Sequence, residues 1–377
     1  MKKRVLLIVP SLEIGGQERI AVNTAEGLRK FYDVEMAVFQ ERNVDCYAAP
    51  CSVINLNIPA KRPAIRKVLN QLKRSLKLFL LRNRKKYDYV LSFGSTANMS
   101  NALSGIFGKG KTICAIHGFA EVRKSVVLST IIKLSDKVIC IAKAMQSGLL
   151  NIYPQCQNSI VIENGYVLHN VTETDIGRNH RSDFPVFVSM GRMEHVKGFD
   201  ILISAFRRVH AVIPESQLWL IGDGSLRGDL EKECADNGLE HAVKFFGYLK
   251  DPHTVLQDAS IYVLSSRNEG LPNALIEALN AQLPVISVDC ISGPREILTG
   301  KYEKKTSFGI EHADNGILVE NFPDEDKRVK YLAKAMIDLA GNPELQMSLR
   351  NRALQRAMDY SLESYIGKLQ DLLASLQ

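Results

Sequence analysis

The sequence predicts an α/β protein made of two doubly wound parallel sheets, each covered by helices. Three observations predict it. Short apolar runs alternate with stretches of helical apolar spacing along nearly the whole chain, the pattern of parallel strands joined by crossover helices. The alternation is interrupted between Gly165 and Pro185, where VLHNVTETDIGRNHRSD is polar and follows neither period. At 377 residues, with 46% hydrophobic content, the chain is long enough for two cores rather than one.

In chain order, the strands of the first half are RVLLIV (4–9), VEMAVF (34–39), YVLSF (89–93), TICAIH (112–117), KVICIA (137–142) and IVIEN (160–164). Those of the second are VFVSMG (186–191), LWLIGDG (218–224), VKFFG (243–247), IYVLSS (261–266), PVISVD (284–289) and GILV (316–319). IYVLSS shows the type best: it is apolar and β-branched, and NALIEALNA, with helical spacing, follows it. Pro272 suits the first position of that helix. The domains are then 1–168 and 169–358, facing a hinged cleft, and AMDYSLESYIGKLQDLLASL supplies a closing amphipathic helix at 359–377.

Seven cysteines form an odd set without a CxxC pair or zinc-ligand spacing, which points to a reduced, cytoplasmic compartment. Met1-Lys2-Lys3-Arg4 before VLLIVP copies a signal peptide only superficially, because the apolar run stops at Pro10 and Glu13 follows. No run approaches the eighteen or more apolar residues of a membrane span. The expectation is a soluble or peripheral protein.

The densest chemistry lies in EGLPNALIE, which sets Glu269 in a loop and Glu277 in the second turn of the following helix. At 1.5 Å of rise per residue the two carboxylates stand on the order of 10 Å apart along the helix axis, too far for a hydrolase dyad facing one bond. Between them, the N–H groups near Leu271, Asn273 and Ala274 form the positive end of a helix, a seat for phosphate.

EGLPNALIE resembles the E-x7-E signature of the GT-B glycosyltransferases of family 4, which retain anomeric configuration. SMGRMEHVKGFDILISAF (189–206) is similar to their G-R-x-x-x-x-K-G phosphate motif, VIENGY (161–166) to their inter-domain Asn-Gly element, and IVPSLEIGGQERIAVNTAEGL (8–28) to their N-terminal Gly-Gly loop and helix. The matches keep family order from about residue 5 to 360. The resemblance implies a GT-B fold whose last helix crosses back to the first domain. It also implies that Arg192 and Lys197 contact a donor diphosphate and offset the charge building on the departing nucleotide.

By the same resemblance, Gly15 and Gly16 approach a phosphate, His117 lies against the donor sugar, and Asn164 with Gly165 shapes the cleft floor. Gly222 and Gly224 of GDGSL, with Tyr248 and Leu249 after Gly247, resemble loops holding ribose and base, although both also read as strand-end turns. Leu271, Pro272, Asn273 and Ala274 belong to the phosphate seat. Glu277 would hold ribose hydroxyls and Glu269 those of the transferred sugar.

Two other motifs fail on spacing. GDGSLRG is one residue longer than the dinucleotide fingerprint, and VKFFG ends without the acidic residue that takes an NAD ribose. Asp324-Glu325-Asp326 matches a D-x-D metal signature formally but follows Asn321-Phe322-Pro323 and precedes a helical pattern, so it reads as a helix start. No metal is implied.

From Lys61 to Lys86 the chain has eleven Lys or Arg and no Asp or Glu; removing those eleven from the whole-chain +7 leaves the remainder at −4. At 100° per residue Ile65, Val68, Leu69, Leu72, Leu76, Phe79 and Leu80 gather within about 60° of one direction. Arg66, Lys67, Lys73, Arg74 and Lys77 occupy the opposite side, where Leu78 and Leu81 break the pattern as exposed leucines. An anionic membrane surface accounts for the charge, the stripe and both leucines together. Nucleic acid is disfavoured, since Phe79 and Tyr87 are the segment's aromatics and no module is present.

The combined expectation is a metal-independent, retaining UDP-sugar transferase. Its acceptor is a lipid-linked sugar of the undecaprenyl-diphosphate type used in bacterial O-antigen assembly, at the cytoplasmic face of the inner membrane. N-acetylgalactosamine is the first choice of sugar, on overall resemblance. A UDP-sugar epimerase and a non-catalytic nucleotide-sugar-binding scaffold are the alternatives.

Overall fold

A computed structural model describes residues 2–13, 15–40, 46–59, 64–168, 184–303 and 308–376, the side chains of 64–67 and 120 excepted. Lys61, Arg62, the side chains of Ile65, Arg66 and Lys67, and most of the polar boundary segment therefore lie outside the described residues. The chain divides into two compact units, Met1–Val167 with Tyr360–Gln377, and Leu168–Asp359.

The N-terminal unit runs β1 (Arg4–Val9), α1 (Gly16–Leu28), β2 (Asp33–Val38), β3 (Ser52–Asn55), α2 (Ala64–Lys85), β4 (Tyr89–Phe93), α3 (Ser95–Gly105), β5 (Lys111–Ile116), α4 (Val126–Leu134), β6 (Lys137–Cys140), α5 (Lys143–Ile152) and β7 (Ser159–Val161). Its sheet is parallel throughout, in the order β3-β2-β1-β4-β5-β6-β7. Right-handed crossovers then put α1 on one face and α2, α3 and α4 side by side on the other. Val5 to Val9 are fully buried, as a central strand covered on both faces requires.

The C-terminal unit runs β8 (Val186–Met190), α6 (Phe199–Val212), β9 (Gln217–Ile221), α7 (Arg227–Asp236), β10 (Val243–Gly247), α8 (His253–Gln257), β11 (Ile261–Leu264), α9 (Asn273–Asn280), β12 (Val285–Asp289), α10 (Pro294–Thr299), β13 (Ile310–Ala313), β14 (Gly316–Glu320), α11 (Glu325–Ala340) and α12 (Pro343–Met358). Its sheet order is β10-β9-β8-β11-β12-β14-β13. Phe187, Phe206, Leu218, Leu220 and Met336 anchor a core shared by the sheet and the helices α6 and α11. Each such side chain stabilises by roughly 1.5–3 kcal/mol on burial.

The closing helix α13 (Leu362–Ser375) belongs to the N-terminal unit and packs on α1. Gly27 is the notch that admits it, since a Cβ there would stand 2.3 Å from Ile366 Cγ1, and Thr24 Oγ1 lies 2.9 Å from the Tyr365 hydroxyl. Ser125, Asp324, Asn342 and Ser361 cap α4, α11, α12 and α13 through side-chain oxygens. Asp324 thus opens α11, as its place after Pro323 suggests.

Four details correct the reading from sequence. β3 and β13 are additional edge strands, and β13 runs antiparallel to β14, so the second sheet is mixed. Pro272 is the residue before α9 rather than its first residue, a one-residue shift of the kind helix ends commonly show. Leu78 is not exposed but fully buried, and Leu81 packs partly buried beside it in the same cluster. Arg74 is likewise not on the open side; it is buried, over the ring of Phe39 at 4.6 Å.

The reason is the surface that α2 meets. On the neighbouring helix and strand stand Asn101, Ser104 and Thr112, whose side chains accept from the buried Arg82 guanidinium at 3.2, 3.1 and 2.9 Å, joined by the carbonyls of Lys109 at 2.9 Å and Gly110 at 2.6 Å. A guanidinium satisfied by this many acceptors can be buried. The helix is therefore docked by its arginines as much as by its leucines.

Candidate active site

In open α/β sheets the strand order reverses at a switch point, and ligands bind there beyond the carboxyl ends of the strands. In the C-terminal unit the switch lies between β8 and β11. Both motifs singled out in the sequence follow these two strands. After β8 the chain makes a 3-10 turn, His195–Lys197, closed by Gly198 at φ +66. A Cβ on Gly198 would stand 2.3 Å from Ser265 O, so glycine lets the turn settle on the loop after β11. Ser265 Oγ donates to Lys197 O at 3.2 Å and Arg267 N to Val196 O at 2.9 Å.

That contact brings Lys197 Nζ to 2.7 Å from Glu269 Oε1, with side chains 24% and 8% exposed. Ser266 Oγ donates to the same oxygen at 2.7 Å. Arg192, in contrast, is 74% exposed and pairs with Glu194 at 3.4 Å, a surface contact worth about 0–1 kcal/mol. Among the described residues the structure does not bring Arg192 and Lys197 onto a common partner.

Arg267 braces this loop. It donates to His195 O at 2.8 Å, to both Asp200 oxygens at 2.8 and 2.6 Å, and to Glu325 Oε1 at 2.7 Å. Burial alone would raise the Asp200 carboxyl, but the bonds from Arg267 outweigh it and hold the group below its ordinary value. Its contribution to stability is therefore present above the ordinary carboxylate range and lost as pH falls through it. We expect Arg267→Met to lower stability by about 2 kcal/mol, discounted for the water reaching Asp200 and Glu325. The donor KM should rise as the Lys197 turn loosens. Urea denaturation and initial rates test both, and an unchanged denaturation midpoint would contradict the bracing role.

Beyond Glu269, Leu271 and Pro272 are buried while Asn273, Ala274 and Glu277 are half-buried. Pro272, at the N-cap of α9, makes no side-chain capping bond. Glu277 stands in the second turn, as read. The loop is held from below by Ser292 Oγ, which donates to Gly270 O at 2.8 Å. Tyr262 is buried under the site; burial raises its pKa, and the charges of Glu269 and Glu277 add to the effect.

The GDG loop after β9 has a structural explanation of its own. Gly222 adopts φ +129, and a Cβ there would stand 1.9 Å from Gly191 O; at Gly224 it would stand 2.5 Å from Met193 O. Gly191 N donates to Ile221 O at 3.0 Å and Met193 N to Asp223 O at 2.9 Å. These glycines therefore let the loop lie directly on the turn that carries Arg192. Gly222 N also donates to Gly247 O at 2.7 Å, placing the exposed Tyr248 and half-buried Leu249 next to that loop.

In the N-terminal unit the switch falls between β1 and β4. Gly15 and Gly16 follow β1 and open α1 without a side-chain cap. His117 follows β5, next in the sheet. Its backbone N–H donates to Glu121 Oε1 at 3.2 Å, as does that of Gly118 at 3.1 Å, and Ser95 donates to the other Glu121 oxygen. The His117 ring lies 5.5 Å from that of Phe93, and its Nε2 is buried without a hydrogen-bond partner among the described residues. Asn164 is buried. Gly165 serves the packing of α13, because a Cβ there would meet Tyr365 Cβ at 2.5 Å.

Burial lowers the His117 pKa to about 4. From the ordinary imidazole value of 6.5 down to about 4 the unfolded chain takes up a proton that the folded chain refuses. Stability is then complete above the unfolded value and declines through that window, by up to about 1 kcal/mol per pH unit. His117→Asn should flatten this part of the stability curve, and urea midpoints measured across the window check it; equal slopes in both proteins would show that the ring titrates normally.

Arg267, Asp200, Ser266 and Glu121 were not singled out by sequence. Arg267 and Ser266 adjoin Glu269 in SSRNEG, but nothing in the spacing announces a partner 67 positions away.

The two doubly wound units, each with motif residues at its switch point, have the architecture of a nucleotide-binding α/β protein, and comparison with known proteins narrows the class. Residues 14–169 match the family Glycosyltransferase Family 4, and residues 171–356 match Glycosyl transferases group 1. Over 201 residues the chain is 35% identical to an uncharacterised glycosyltransferase of Methanocaldococcus jannaschii, covering 50% of this chain and 49% of that protein. An N-acetylgalactosamine-N,N'-diacetylbacillosaminyl-diphospho-undecaprenol 4-alpha-N-acetylgalactosaminyltransferase of Campylobacter jejuni is 22% identical over 93% of this chain and 94% of its own. Anabaena HepE, solved in complex with UDP and glucose, has a TM-score of 0.77 at 17% identity, covering 100% of both chains. Both units of the chain thus match glycosyltransferase families, and the chain has the GT-B fold.

Proposed function

We propose that the protein transfers a hexose or N-acetylhexosamine, with retention of configuration, from a UDP-sugar to a sugar carried on a lipid diphosphate. The setting is surface-glycan or O-antigen assembly at the cytoplasmic face of the bacterial inner membrane. The observation that carries this reading is the Lys197–Glu269 pair at the switch point of the C-terminal unit, with the start of α9 following it. UDP is the nucleotide in the HepE complex, and the Campylobacter relative is named for a diphospho-undecaprenol acceptor. That same relative makes N-acetylgalactosamine the first sugar to try.

In this account Lys197 and the α9 start offset the charge that develops on UDP as the anomeric C–O bond breaks. Arg192, exposed and paired with Glu194, reaches the diphosphate from the solvent side. Glu269 orients hydroxyls of the departing sugar, Glu277 those of the ribose, and neutral His117 presents Nε2 to the sugar. The acceptor hydroxyl bonds to the anomeric carbon, and its proton passes to a donor phosphate oxygen. No step calls on a metal.

The test is a panel of UDP-, GDP- and dTDP-sugars, with EDTA present, scored for transfer to a lipid-diphosphate-linked sugar. Transfer from one UDP-sugar is expected. Release of an altered sugar without acceptor would indicate an epimerase, and binding without turnover would indicate a scaffold; either overturns the proposal.

A further inference from the structure

The helix α2 is turned with its leucines outward. Val68, Leu69, Leu72, Leu76 and Leu80 are each between 53% and 64% exposed. At 100° per residue they occupy an arc of about 120°, and they run roughly 18 Å along the helix. The inward side carries Arg74, Ser75, Leu78 and Arg82, all buried. Lys85 adds an ion pair with Glu35 at 2.6 Å. This polar docking fixes the rotation of the helix, so the outward stripe is not a face that has slipped from a neighbour. On one edge of the stripe Lys73, Lys77 and Arg84 are exposed, and Lys77 is held there by Leu56 O at 2.8 Å.

We propose that this stripe is a membrane-insertion face, seating Val68, Leu69, Leu72, Leu76 and Leu80 in the acyl boundary of an anionic bilayer with Lys73, Lys77 and Arg84 among the headgroups. It deepens the functional reading above and rests on it for the presence of a lipid-borne acceptor. Charge selects the occupant. A second copy of the chain would bring two sets of cations together with no acid between residues 61 and 86 to offset them, whereas anionic headgroups neutralise them and the hydrocarbon takes the leucines. No described helix is long and apolar enough to cross a membrane, so the contact lies in the interface plane.

The test is flotation with vesicles of phosphatidylethanolamine and phosphatidylglycerol, against vesicles of phosphatidylcholine alone, at low and high salt. Wild type should bind the anionic vesicles and retain part of that binding at high salt. Leu72→Ser/Leu76→Ser should bind about 100-fold more weakly, with the thermal unfolding of wild type, because both positions are exposed. Lys73→Gln/Arg84→Gln should lose the salt-sensitive part alone. Vesicle binding by the leucine variant equal to wild type would overturn insertion. So would a wild-type dimer that the leucine variant converts to monomer without any vesicle affinity. Transfer to a short-chain, water-soluble acceptor does not need the stripe. If no donor supports transfer while vesicle binding behaves as stated, the functional reading fails and the insertion face stands.

Discussion

Lys197→Ala is expected to lower turnover by at least about 100-fold, roughly 3 kcal/mol, the scale of one preorganised contact to a charge that develops in the transition state. The Lys197 ammonium is well placed for that role. It is held 2.7 Å from Glu269 by a turn that Gly198 and Ser265 fix, so little reorganisation is needed when the donor arrives. Among the described residues the substitution leaves Glu269 with Ser266 as a close partner, so a moderate fall in stability should accompany the loss. The two effects separate by experiment: steady-state rates well below the melting temperature report the chemistry, and UDP affinity reports the site. Near-normal turnover would remove Lys197 from the mechanism.

Gly222→Val is expected to destabilise the C-terminal unit by about 3 kcal/mol or more. A β-branched residue at φ +129 is strained in any surroundings. Here its Cβ would also press to 1.9 Å from Gly191 O, an oxygen that cannot retreat without disturbing the 3.0 Å bond from Gly191 N to Ile221 O. Gly228→Ala is the matched control. It lies in α7, and an added Cβ meets nothing within 4 Å, so alanine should be neutral or slightly stabilising there. Circular-dichroism melts of the two variants decide the matter, and equal melts would show that the GDG loop is not a packing device.

Both glycine readings illustrate what sequence could and could not disclose. The motif frames around Arg192, Lys197, Glu269 and Glu277 placed these residues after the correct strands, because strand-end loops in parallel sheets are fixed by the apolar runs before them. Whether Gly222 serves a ligand or a neighbouring loop depends on the separation of two backbones, which no spacing encodes. The pairing of Lys197 with Glu269, and the bracing by Arg267, are contacts across about 70 positions of chain and were equally silent.

The missed strands have a simpler cause. SVIN (52–55) and IEHA (310–313) are edge strands, mostly half-exposed, so they lack the continuous apolar run that marked their central neighbours. The rotation of α2 was unreadable for the opposite reason: its apolar stripe is real, but the face that packs was chosen by Asn101, Ser104 and Thr112, which accept from Arg82. Periodicity reports which side chains share a face and says nothing of what that face meets.

The most direct test of the central claim is proton NMR of the product formed from an α-linked UDP-sugar and a lipid-diphosphate-linked acceptor. A new α-glycosidic linkage is expected, formed with release of UDP. A β linkage would contradict retention at this site.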